Sequence, residues 1–193
     1  MAANYNKRIS DTSIRLGPVR FCYAHVFAPK KNDDGTNGKY GVQLLIPKTD
    51  KEALTLIENA INAAKQAGVS SKWNGKMPPA SKLKLPLRDG DEEFPDDGTY
   101  AGMYFMNTSS PTQPGVRVLE NGMMSEALDE DDFYSGCYGC ATVNFVAYNI
   151  SGTGVGAYIN NVIKTADGKK FSGGRSAEED FGDLTGDAAS CLD

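Results

Sequence analysis

The pattern of apolar and polar positions changes period several times along the chain, and each change marks an element. In "IRLGPVRFCYAHVFAP", residues 14–29, the alternation has a period of two, and Val19, Phe21, Tyr23, His25 and Phe27 fall on one face of an extended strand. The basic, glycine-bearing "KKNDDGTNGK" reads as a loop, and "KYGVQLLIP", residues 39–47, as a second strand stopped by Pro47. Leu54, Ile57, Ile61 and Ala64 then recur at helical spacing. Thr49 to Glu52 form a capping-box pattern and Gly68 suits a C-cap, which predicts one amphipathic helix over residues 50–67. Residues 69–97 hold four prolines and many charge switches, and read as a long loop. Strand character returns over 98–110, 115–120, 136–150 and 155–164, with an acidic turn "EALDEDDF" before the third of these and a hairpin loop "SGTG" before the last.

Five to seven strands, one helix and long loops predict a mainly β fold. The leading candidate is an OB-fold-like five-stranded barrel with one amphipathic helix. An immunoglobulin-like sandwich would space its strands more evenly and lack the long helix. Length and composition agree with one domain and a sizeable core: 193 residues, 40% of them hydrophobic. Charge divides the chain. Of 25 acidic side chains, six lie beyond Arg175, where none of the 20 lysines and arginines is found. The expected organisation is therefore a domain over 1–174 and a disordered acidic tail over 175–193. No apolar run approaches the roughly 20 residues that span a bilayer, and the N-terminal stretch is polar, so no membrane partner is expected. Four cysteines, one of them in the tail, make a poor disulfide framework and point to a reducing, cytoplasmic setting.

Several residue groups could carry chemistry. Cys22 with His25, and Cys137 with Cys140, have the two-residue spacing of a zinc site. On continuous strands, positions three apart point to opposite faces, so packed free thiols are expected and no metal. His25 is the only histidine and lacks a partner for acid–base catalysis. "SGTGVG" lacks the lysine and the strand-then-helix setting of a phosphate loop. The acids of "RDGDEEFPDD" and "LDEDDF" cluster in loops rather than converging from ordered elements, as a metal nuclease would require. No cofactor and no enzymatic activity are expected. A stronger pattern is "SKWNGKMPPASKLKLPLR", which holds Lys72, Lys76, Lys82 and Lys84 around Trp73 and contains no acid. Tyr100, Tyr104 and Arg117 follow on predicted strands, while Lys30, Lys31 and Lys39 flank the first hairpin. Cations that track phosphates, interleaved with rings that stack bases, are what a single-stranded nucleic acid needs. An acidic tail beside such a surface can act as a competing polyanion, or recruit partners once displaced.

Three stretches carry a resemblance to a known family: "RFCYAHVFAP", "KYGVQLLIPK" with the capped helix behind it, and "FYSGCYGCATVNFVAYNISGTGVGAYINNVIKTADGKKFSGG". Over about residues 14–174 the chain resembles phage-encoded OB-fold single-stranded DNA-binding proteins, similar in architecture to the acidic-tailed replication proteins of lytic coliphages. The resemblance implies binding of single-stranded DNA without strong sequence preference in replication, recombination or repair of a phage genome, inside the bacterial host cell. It also implies phage or host replication proteins as partners of the tail, through Glu178, Glu179, Asp180, Asp183 and an apolar anchor at Phe181 or Leu192. The family's comparable tails often end in an aromatic residue, whereas this chain ends Cys191-Leu192-Asp193. Two other functions remain open at this point: a phage structural or assembly barrel, and a metal-dependent nuclease. A monomer and a dimer are both compatible with the sequence.

Overall fold

The computed structural model describes residues 4–171. In chain order the elements are β1 (Lys7–Arg8), β2 (Ser13–His25), β3 (Tyr40–Pro47), α1 (Lys51–Ser71), β4 (Leu83–Lys84), β5 (Leu87–Asp89), α2 (Gly90–Glu93), β6 (Met103–Ser110), β7 (Gly115–Glu120), β8 (Met123–Glu126), β9 (Tyr138–Tyr148) and β10 (Thr153–Ala166). Five of the strands close on themselves. β2 pairs antiparallel with β3 and with β9, β3 with β6, and β9 with β10. A parallel pairing of β10 with β6, at Tyr158 and Ser109, shuts the ring. Taken as barrel strands one to five, the order is one, two, three, five, four and back to one. This is the OB-type barrel expected from the sequence.

Alternation fills the barrel. Leu16, Val42, Leu44, Ile46, Met106, Val143, Phe145, Val155 and Ile159 are all buried in one cluster. The intervening residues face outward, in keeping with the two-residue period of a strand. Helix α1 joins that cluster through Ala53, Ile57, Ala60, Ile61 and Ala64, and packs mainly on β9 and β2. Its N-cap is Asp50, whose carboxylate accepts from Ala53 N at 3.0 Å. The helix runs to Ser71, four residues past the predicted end, because Gly68 serves as a packing position and not as a cap.

Three other expectations change. Residues 98–102 form a turn, and the third barrel strand starts only at Met103. The long loop over 69–97 contains a 3-10 turn (Ala80–Lys82), the short strands β4 and β5, and the helical turn α2. The single face proposed for Val19, Phe21, Tyr23, His25 and Phe27 does not persist. The register of β2 on β3 shifts between Cys22 and His25: Phe21 stays in the main core and Cys22 is buried in a separate small cluster, while Tyr23 and His25 are exposed. Cys22, Cys137 and Cys140 are free and buried, and burial pushes their thiols up to about 12, 11 and 11. Among the described residues no helix is long and apolar enough to cross a membrane. The tail residues Glu178, Glu179, Asp180, Phe181, Asp183 and Leu192, and the boundary at 174, lie outside the described residues.

Trp73 ties the end of the helix to the barrel. Its indole N–H donates to Tyr148 O at 3.1 Å, its backbone N–H donates to Gly68 O, and only 6% of the residue is exposed. A Cβ at Gly68 would lie 3.0 Å from the indole ring and 2.5 Å from Ala147 Cβ, so the glycine is what lets the ring in. Trp73→Ala should therefore lower stability by about 3 kcal/mol, the usual cost of removing a buried aromatic. Urea unfolding measures this, and an unchanged midpoint would show that the ring is not part of the fold.

Candidate nucleic-acid interface

The outer face of β2, β3 and β6 is divided in two. At one end Cys22, Leu45, Tyr100 and Phe105 form a second small core, outside the barrel, with Phe171 packed against it. Phe94 covers it, with its ring 4.4 Å from that of Tyr100. At the other end the face is open, and a cleft of about 1000 Å³ runs over it. Its floor is Gln43 and Asn107, and its walls include Tyr23, His25, Tyr40, Lys30, Lys31 and Lys39. A second cleft, of about 530 Å³, continues over β10 and is lined by Lys84, Arg88, Tyr148, Ile150, Gly156 and Tyr158. Lys39, Asn107 and Ser109 line both, so the two form one groove. It passes between the loop of barrel strands one and two and the loop of strands four and five. This is the face on which OB-folds hold oligonucleotides and oligosaccharides.

The floor is polar and satisfied. The Tyr100 hydroxyl donates to Gln43 Oε1 at 2.7 Å, and Gln43 Nε2 donates to Asn107 Oδ1 at 3.0 Å. Burial, reinforced by the neighbouring Tyr23 hydroxyl, raises the Tyr100 phenol well above its ordinary value, so it stays a neutral donor. The walls are cationic. Backbone bonds between Lys30 and Lys39 and a bridge from Lys31 to Asn37 close the loop of strands one and two into a short arm. Asp34 is spent inside that arm: Thr36 donates to it through both hydroxyl and backbone, and these bonds hold its carboxyl below the usual range. Lys30, Lys31, Lys39 and Lys84 have no carboxylate partner among the described residues. Arg88, by contrast, is paired with Glu93.

Rings reach the groove from positions that the sequence reading did not select. Tyr23 is 65% exposed at the bulge and adopts φ 47°, a left-handed backbone that an aromatic residue seldom takes. Tyr148 and Tyr158 stand on the outer face of β9 and β10 with Gly154 and Gly156 between them. A Cβ on Gly154 would meet the Tyr148 hydroxyl at 2.7 Å, and one on Gly156 would meet the Tyr158 ring at 3.3 Å. Gly154 thus lets the Tyr148 phenol lie over the strand, and Gly156 leaves an open gap in the cleft beside Tyr158. The signal for this is present in "GVGAY": in a period of two, Val155 and Ala157 face in, while Gly154, Gly156 and Tyr158 face out.

The predicted residues divide accordingly. Lys30, Lys31, Lys39 and Lys84 line the groove. Lys72, Lys76 and Lys82 are exposed on the loop after α1 but line neither cleft. Trp73 and Tyr100, proposed to stack bases, are buried at 6% and 3% exposure, with their polar atoms bonded inward, and present no open ring face. Tyr104 is half-buried with Lys48 Nζ 5.0 Å from its ring centre. Arg117 lies on β7, 3.6 Å from Glu126, and lines neither cleft. Of the acids of residues 88–97 and 128–133, Asp89, Asp91, Glu93 and Asp131 pair with Lys48, Arg88 or Lys170, Asp97, Asp129 and Asp132 accept backbone bonds in turns, and no group of three or more metal-ligating side chains forms among the described residues.

A closed OB-type barrel with an open, cationic, tyrosine-flanked groove on its binding face defines an oligomer-binding barrel. Comparison with known proteins is more specific: the chain belongs to the family of the Enterobacter phage Enc34 ssDNA-binding protein, whose family model matches residues 12–190. It is 32% identical over 182 residues to protein p50 of Acyrthosiphon pisum secondary endosymbiont phage 1, covering 89% of this chain and 94% of that one. Among solved structures it is similar in fold to the bacteriophage Enc34 single-stranded DNA-binding protein in complex with ssDNA, with a TM-score of 0.70 and 21% identity over 89% of this chain and all of that one. The fold likeness extends to gp2.5, a single-stranded DNA-binding protein encoded by bacteriophage T7, with a TM-score of 0.56 and 15% identity over 83% of this chain and 93% of that one.

The left-handed backbone at Tyr23 has a measurable consequence. An L-residue there costs on the order of 1–2 kcal/mol relative to glycine. Tyr23→Gly should therefore melt no lower than the parent protein. A fall of more than a few degrees in a thermal melt would mean that the phenol is holding the bulge together.

Proposed function

We propose that this protein binds single-stranded DNA in the groove, without strong sequence preference and without catalysis, and so protects a phage genome during replication, recombination or repair. The observation that carries the reading is the groove itself: unpaired lysines on both rims, the exposed Tyr23 and half-buried Tyr148 and Tyr158 along it, and a neutral, satisfied floor. Lys30, Lys31 and Lys39 on one rim and Lys84 on the other would neutralise phosphates of a strand laid in the groove. Tyr23, Tyr148 and Tyr158 offer π-faces that any base can use, which suits sequence tolerance. The family's Enc34 member is an ssDNA-binding protein and has been solved with ssDNA.

We further propose that the acidic tail competes for the groove and, when displaced, engages replication proteins. Its root is built into the barrel. The Arg20 guanidinium sits 4.0 Å from the Phe171 ring centre and donates to Gly136 O and Lys169 O. Phe171 in turn packs by Cys22 and Tyr100, next to the Tyr23 end of the groove. The first tail acid, Glu178, is seven residues further on, a reach of about 23 Å at some 3.3 Å per residue. Phe181 and Leu192 are the apolar anchors proposed for a protein partner.

Binding to oligo-dT tests the first reading. With about four lysine–phosphate contacts, log affinity should fall with log salt at a slope of roughly −3, from about −0.7 per phosphate neutralised on a single strand. Lys39→Ala and Lys84→Ala should each flatten that slope by about 0.7. Tyr23→Gly, Tyr148→Ala and Tyr158→Ala should each cost about 1–3 kcal/mol of binding where the ring stacks on a base. A slope near zero would remove the electrostatic groove from consideration.

A chain cut after Arg175 tests the tail. It should fold as the parent does and bind oligo-dT more tightly at low salt, with the difference shrinking as salt screens the tail's attraction to the rims. Equal affinities at low salt would leave the tail no competing role, and an unchanged pull-down of replication proteins would take away its recruiting role.

A further inference from the structure

The β7–β8 hairpin lies outside the ring of five strands and lines neither cleft, although β7 pairs with β10. Its turn is Asn121-Gly122, with both residues at positive φ (51° and 78°), which suits a tight type I′ hairpin. Val116 and Val118 anchor β7 in the main core, but every residue of β8 is exposed, so this outer strand has both faces in solvent and ends the sheet with an unpaired edge. The exposed residues are not polar filler. Met123 is 73% exposed, Met124 67% and Leu128, just beyond the strand, 78%. Soluble proteins seldom leave such a strip uncovered on an open strand edge without a partner for it. The surroundings are acidic: Arg117 answers Glu126 and Lys170 answers Asp131, while Glu120 and Glu130 have no cation among the described residues.

The complement of that surface lies on the same molecule. The loop after α1 carries Lys72, Lys76 and Lys82, all outside the groove, no acid between residues 71 and 88, and the exposed apolar side chain of Met77. The two surfaces sit at opposite ends of β10, along the same edge. β4, at the end of the lysine loop, pairs with Thr153 and Gly154, whereas β7 pairs with Asn161 to Lys164. Gly154 and Asn161 are seven residues, or about 23 Å, apart along the strand, so one copy cannot bring its own two surfaces together. A second copy can. We propose that the acidic, methionine-bearing hairpin of one copy docks on the lysine-rich loop of the next. The contact is heterologous, because it joins two different surfaces, and its repetition gives an open head-to-tail row rather than a closed pair. A single strand held in successive grooves would line the copies up, and tethering at millimolar effective concentration makes a small contact sufficient. The row along DNA rests on the single-strand reading above; the contact itself does not.

The experiment is a charge swap read on two lengths of oligo-dT, one that holds a single copy and one that holds many. The parent protein should bind the long oligomer at least about 10-fold more tightly per site than the short one, the gain expected from neighbour contacts on a tethering lattice. Glu120→Lys with Glu130→Lys should abolish that gain, as should Lys76→Glu with Lys82→Glu. The chain carrying all four changes should regain it. The hairpin pair should leave short-oligomer affinity within about two-fold, since it lies outside the groove. The same four proteins compared without DNA, by sedimentation at rising concentration, should show self-association in the parent and the four-fold variant and a loss of it in each pair. If DNA binding fails for all four, the single-strand reading falls and sedimentation still decides the contact. No gain for the parent on the long oligomer with no self-association overturns the proposal. So does a four-fold variant that folds but regains neither, which would leave the hairpin to a different protein.

Discussion

The parallel contact between β6 and β10, at Ser109 and Tyr158, is the constraint on which the rest depends. It closes five strands into a ring and so seals the cluster of Leu16, Leu44, Met106, Phe145 and Ile159 from water. It also determines what lies outside. Without closure, the floor residues Asn107 and Ser109 would sit at a sheet edge, and Gly156 and Tyr158 would belong to a separate hairpin. With it, the two clefts share Lys39, Asn107 and Ser109 and become one groove. The core and the binding face are therefore two sides of one register.

This dependence explains what the sequence disclosed. Period-two alternation in 39–47, 136–150 and 155–164 is a local property, and those strands lie where it puts them, to within two or three residues. The helix was legible for the same reason, because Ile57, Ile61 and Ala64 recur at its own period. The four lysines that line the groove were legible because charge clusters in loops. What was not legible was which loops meet. Lys84 joins Lys39 only because β4 runs parallel to Thr153 and Gly154, more than 60 residues away, and no local pattern announces such a pairing. The tail was conspicuous in charge, while its root, the clasp of Arg20 on Phe171, depends on a contact across the whole chain.

The aromatic residues show the same limit from another side. Trp73 stood out for its lysine neighbours, but a large ring with one polar atom has two uses, and local sequence does not separate them. Here Gly68 leaves space for the indole and Tyr148 O accepts its N–H, so burial is favoured. Tyr100 meets a similar end, with Phe94 stacked over it and Gln43 accepting its hydroxyl. Alternation places Tyr23 on the same face as Phe21. A register shift after Cys22 reversed it, and the left-handed φ is the local cost of that reversal. One extra residue in a strand thus separates Tyr23, an exposed ring of the groove, from the buried Phe21.

The division of labour between floor and rim follows from electrostatics. A buried charge under the groove would need a partner or would shift its protonation to avoid being charged. Gln43, Asn107 and Tyr100 avoid the problem by satisfying one another as neutral groups. Cations are kept instead on flexible stems at the rim, where water still reaches them and holding them ready carries little desolvation cost. The acids that could cancel them are committed elsewhere: Asp34 to the turn at Thr36, Asp89 and Asp91 to Lys48, Glu93 to Arg88. Lys48 holds the carboxyls of Asp89 and Asp91 below their ordinary values, so they stay charged and paired to lower pH than a free aspartate would. A protein with a formal net charge of −5 can in this way present a positive groove, because its field is set by which charges are paired and where the unpaired ones stand.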